Sequence, residues 1–168
     1  NPAPTERLQP PYRMYHYFDN YERYPSDEVV KAVIAAKCDV FVMHENWRMD
    51  TQNDGVPFDA EAFEKLRDAL HANNIRLAVY IRGNEESVTM RQVSWVKHLL
   101  KYNFDGLYMD YGSPYGHSLQ ANELYCGGRI PFRRYYHVMR TLRKQIGPDG
   151  VFYSHTGPSF SALTMGFM

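Results

Sequence analysis

Only two of the 168 residues are cysteine, Cys38 and Cys126, too few for a disulfide scaffold or a cysteine-rich zinc site. An excess of one charge is missing as well. Nineteen basic and nineteen acidic residues cancel, and no basic run occurs, so no nucleic-acid partner is expected. No apolar run approaches the roughly 18 residues of a membrane-crossing helix, so no membrane span is expected. There is no phosphate loop or dinucleotide fingerprint; Gly127 and Gly128 read as a loop feature. HxH and HExxH spacings are absent, and Ser113 in "YGSPYG" lacks the glycines and following helix of a nucleophile elbow. No cofactor is expected.

What the chain has in quantity is aromatic side chains, 15% of residues, with fourteen Tyr, nine Phe and two Trp. Such rings fill cores and also stack on the apolar faces of sugars. With 44% hydrophobic and 23% charged residues the composition is that of a folded chain. Residues 1–12 form a proline-rich extended lead, and residues 13–168 read as one domain.

Along that domain strand and helix patterns alternate. "RMYHYFD", "DVFVMHENW", "IRLAVYIRG", "FDGLYMD" and "VFYSHTG" read as strands. Between them lie helical patterns. The first has Ser26 as its cap, Asp27 and Glu28 at its positive end, and Val29, Val30, Val33 and Ile34 on one face. The second has an Asp59 cap and a face of Phe63, Leu66, Ala69 and Leu70. The third runs through Val93, Val96, Leu99 and Leu100, and the fourth lies between Pro131 and Gly147. Consecutive βα units imply an α/β fold with a parallel sheet. Two architectures meet this pattern: about the first five units of a (β/α)8 TIM barrel, or a five-stranded doubly wound domain.

The strand ends favour the barrel. Asp19, the group His44 to Trp47, Arg82, Asp110 and His155 finish the five strands, and a barrel gathers all such ends around one axial site. This reading expects the chain to be the N-terminal part of a catalytic barrel, a piece whose partner is the remaining C-terminal half. A stretch of about twenty residues after Asp110 has no periodic segment, far beyond the usual βα connection of roughly 2–6 residues. It holds Tyr115, Glu123 and Arg129, groups suited to a polyhydroxylated ligand.

Asp110 is fixed by the sheet and flanked by Tyr108 and Tyr111. It fits a carboxylate nucleophile or a general base, against the plainer role of turn former before Gly112 and Pro114. Trp47 fits either a sugar platform or a core residue. Asp19, His44, Trp47, Arg82, Tyr111, Tyr115, Arg129 and His155 are expected to bind substrate. His44, Asp110 and His155 could instead ligate a metal in a hydrolase, although the spacing gives that no support. Asp105, at the other end of its strand, reads as a turn residue.

The motif "DGLYMD", with the wider block "GLYMDYGSPY…CGG…PFRRYYHVMRTLRK…VFYSH", resembles the barrels of the α-galactosidase-like retaining glycoside hydrolases and a less characterised glycoside-hydrolase-like group, over about residues 13–157. The resemblance implies a carbohydrate substrate and Asp110 as the nucleophile at the end of strand four. It also implies a general acid near strand six, beyond this chain. Glu45, Asp50 and Glu123 are possible substitutes for that acid. The other alternative is a carbohydrate-binding barrel without catalysis.

Overall fold

The computed structural model describes residues 13–49, 55–82, 90–110 and 132–155. Among these residues five strands alternate with four helices: β1 (Met14–Tyr17), α1 (Asp27–Ala35), β2 (Val40–Met43), α2 (Ala60–His71), β3 (Arg76–Arg82), α3 (Met90–Leu99), β4 (Gly106–Asp110), α4 (Phe132–Ile146) and β5 (Val151–His155). The caps are those the sequence suggests. Ser26 Oγ accepts from the Val29 amide at 3.4 Å, and Asp59 Oδ1 accepts from the Ala62 amide at 3.0 Å. Asn74 and Gly147 take positive φ, 57° and 76°, just past α2 and α4, where a left-handed residue ends a helix.

All five strands are parallel, in the order β1-β2-β3-β4-β5. That order excludes both common doubly wound sheets, whose strand order reverses near the first strand. The distribution of the helices agrees. Val33 of α1, Phe63 and Leu70 of α2, Leu99 of α3 and Leu142 of α4 share one core with Phe41, Leu77, Leu107 and Phe152 of the strands. Each of the four described helices thus lies on the same face of the sheet, as in a (β/α)8 barrel. The opposite face carries a smaller cluster: Met14, Val40, Val42, Ala78, Tyr80, Tyr108 and Val151. Gly106 belongs to this face, where a Cβ would run into the Val151 backbone and Cβ, so glycine lets β4 and β5 approach there.

Strand two is shorter than its apolar sequence suggests. It stops at Met43, and Glu45–Trp47 form a 3₁₀ turn. At the other end of the sheet, Asp105 does more than turn the chain. Its Oδ2 accepts from the Leu77 amide at 2.7 Å and lies 2.6 Å from His71 Nε2, tying α2 to the start of β3.

Candidate active site

Side chains alternate across a strand, so the helix-free face can be read from the register. Arg82, Asp110 and His155 are paired across β3, β4 and β5 at the carboxyl ends of those strands. This is the row expected from the strand-end residues. The backbones of Arg82 and His155 are described; their side chains lie outside the described residues, as do Asp50, Tyr111, Tyr115, Glu123 and Arg129 entirely.

One row deeper lies a band of rings. Phe18, His44, Tyr80, Tyr108 and Tyr153 follow one another across the five strands, with neighbouring centroids 4.8, 4.2, 6.0 and 5.0 Å apart. His16 meets Tyr108 edge-on at 4.4 Å. The centre of this band is dry: Tyr80 has no exposed surface and Tyr108 very little. A buried phenol needs a partner for its hydroxyl, and Tyr80 finds one by donating to Asp110 Oδ2 at 3.2 Å.

Tyr80 organises the turn after β2 as well. His44 lies against its ring, the Arg48 guanidinium is 5.3 Å from its centroid, and the Trp47 indole N–H donates to its carbonyl oxygen at 3.2 Å. Burial, then the charges of Asp110 and Glu45, push this phenol far above the ordinary tyrosine value. Tyr108 is pushed up to about 12 by burial and then by Asp110. Both rings therefore keep their hydroxyl protons at neutral pH, and Tyr80 acts as a donor beside Asp110.

Trp47 corrects an expectation. It is 0% exposed, packs on Phe63 of α2 and belongs to the helix-side core, so no sugar ring can lie on it. The 3₁₀ turn carries the indole beneath the strand ends instead of leaving it at the mouth. Arg48 is buried too, 2% exposed. The sequence reading missed Tyr80. The available signal was the period of two in "AVYIR", which puts Ala78, Tyr80 and Arg82 on one face.

Asp19 is placed at the rim and holds a turn. Its Oδ1 accepts from the amides of Tyr21 and Glu22 at 2.7 and 3.0 Å, and these bonds lower its carboxyl below the ordinary 3.8. It lines a shallow surface depression with Phe18, Arg23, His44 and Asn46. A lowered carboxyl stabilises the turn above its unfolded value and loses that contribution as pH falls through the folded one. The Tyr21 and Glu22 amide protons should therefore shift together with a midpoint below pH 3.8, and not at all in Asp19→Asn. A midpoint at or above that value would remove this role.

Among the described residues no three His, Cys, Asp or Glu side chains gather as metal ligands would. The metal alternative of His44, Asp110 and His155 includes a side chain outside that set.

No protein-family model and no curated protein matches the chain. Among solved structures it is similar to the GH31 alpha-xylosidase of Xanthomonas citri, with a TM-score of 0.56 and 14% identity over 93% of this chain and 23% of that one. The likeness is one of fold. A chitinase of Rhizomucor miehei gives a TM-score of 0.45 and 15% identity over 71% of this chain and 41% of that one. The chain spans less than half the length of either. With the alpha-xylosidase likeness, five consecutive parallel units in sequential order fit part of a (β/α)8 barrel.

Proposed function

We propose that this chain is the N-terminal part of a glycoside hydrolase barrel, residues 13–168 following a lead of residues 1–12, and that Asp110 is the nucleophile of a retaining mechanism. One observation carries the reading: Asp110 ends β4 between Arg82 and His155 and accepts a hydrogen bond from the hydroxyl of a buried tyrosine. The phenol donates to the carboxylate and fixes the direction of its lone pairs. The fold likeness to an alpha-xylosidase supports a glycosidic substrate.

In the mechanism Asp110 attacks the anomeric carbon to form a glycosyl ester, while a second carboxyl group protonates the departing oxygen; water then cleaves the ester. Arg82, His44 and His155, with Tyr111, Tyr115 and Arg129 of the following segment, bond substrate hydroxyls. Phe18, 56% exposed beside Asp19 and His44, takes the stacking role for which Trp47 is too deep. The remaining half of the barrel completes the cleft.

The test is the stereochemistry of the first product. Full-length protein is incubated with aryl glycosides, α-xylosides among them, and the anomeric proton is followed by NMR from the start of the reaction. Retention is expected. Inversion would reassign Asp110 as a base, and absence of hydrolysis across the panel would leave a carbohydrate-binding barrel.

A further inference from the structure

Resting on that reading, we infer that His16 is a substrate-binding residue of the site, hydrogen-bonded to a sugar hydroxyl on the side of the ring away from the anomeric carbon. Met14, two residues earlier on β1, belongs to the helix-free cluster, so His16 faces the same way. Its ring lies 4.4 Å from that of Tyr108, which precedes Asp110 on this face of β4. Two strands separate β1 from β4. On a flat sheet, strands about 4.8 Å apart would hold β1 and β4 roughly 14 Å from each other, with their side chains standing parallel. The contact therefore requires the helix-free face to be concave, and His16 and Tyr108 line one lumen.

The level of this contact matters as much as its reach. Followed through the register, His16 pairs with Val42, then Ala78, then Gly106. Its ring contact falls instead on Tyr108, two residues nearer the carboxyl end of β4. That displacement is the stagger strands take when a sheet closes into a barrel, and it lifts His16 from the row below the band of rings to a place within it. Ala78 and Gly106 leave it room, since one carries a methyl group and the other no side chain. His16 thus stands across the lumen from the strand that ends in Asp110, with the His44 ring 5.8 Å away.

Chemistry separates His16 from its neighbours. The Tyr80 and Tyr108 rings are closed off, and the Tyr80 hydroxyl is directed to Asp110. His16 is exposed. A neutral imidazole donates at one ring nitrogen and accepts at the other, which suits a hydroxyl that does both. A pyranose whose anomeric carbon meets Asp110 extends its opposite edge, bearing the 3- and 4-hydroxyls, across the lumen toward β1. There His16, with His44 beside it, receives that edge. No covalent step passes through His16; it selects and orients the sugar.

The test pairs the residue with a hydroxyl in the full-length protein. His16→Phe keeps a ring against Tyr108 and removes both nitrogens; His16→Met, of similar volume and without a donor, replaces it if the Phe variant does not fold. On an aryl glycoside that the unmodified protein hydrolyses, the substitution should lower kcat/KM by about 3–10-fold, the worth of one hydrogen bond. The loss should persist on the 2-deoxy glycoside and vanish on either the 3-deoxy or the 4-deoxy one, where neither protein has that hydroxyl to bind. Equal losses on all three would make His16 structural, and no loss on the parent glycoside would remove it from the site. Either result overturns the inference and leaves the activity standing. If no glycoside is hydrolysed, the activity fails by itself, and the same comparison is made on the dissociation constants of methyl glycosides and their deoxy forms. Absence of any such binding would end both.

Discussion

Asp110→Asn in the full-length protein should lower turnover of an aryl glycoside by on the order of 10⁴-fold or more, the usual cost of removing a covalent catalyst. The substitution keeps the shape of the side chain, and the amide oxygen can still accept from Tyr80. The side chain is only half-buried at a strand end, so folding and saccharide binding should persist and the loss should fall on kcat. Asp110→Gly with added azide should recover part of the turnover of an activated glycoside, because the anion can occupy the vacated space and attack in place of the carboxylate. Near-normal turnover in the Asn variant would end the nucleophile assignment. Loss of a bound metal on the same substitution would move the case to a metal-dependent hydrolase.

The second large effect concerns stability. Trp47→Ala removes a fully buried indole from the helix-side core and strands the Tyr80 carbonyl that it bonds. Such truncations cost about 3–5 kcal/mol. In a domain of this size each kcal/mol lowers the melting temperature by about 2–4 °C, so a fall of on the order of 10 °C is expected by thermal melting. Trp47→Phe restores most of the volume without the N–H and should lose less. A variant with unchanged melting but weaker saccharide binding would return Trp47 to the cleft.

The barrel architecture was legible because its signals are local and agree: capped helices with one apolar face, separated by apolar runs. The place of Asp110 at the carboxyl end of its strand was legible because the apolar run stops there. Trp47 was not. "DVFVMHENW" carries nothing to show that the strand stops at Met43, and the 3₁₀ turn that follows decides which face the indole takes. Tyr80 was hidden for a different reason. A strand buried on both faces reads as a continuous apolar run, and one tyrosine in it does not stand out. Only the register with Tyr108 reveals it as the neighbour of Asp110. The buried Arg48 runs against the ordinary exposure of charged residues, so no sequence pattern would have placed it under Tyr80.

Mass spectrometry after incubation with 2-deoxy-2-fluoro and 5-fluoro glycosyl fluorides tests the central claim most directly. These reagents form the glycosyl ester and slow its hydrolysis. The account predicts one added glycosyl group per chain, located by peptide sequencing on Asp110 and absent from Asp110→Asn. A label on a different carboxylate, or product formation with no ester trapped by any of the reagents, would contradict it.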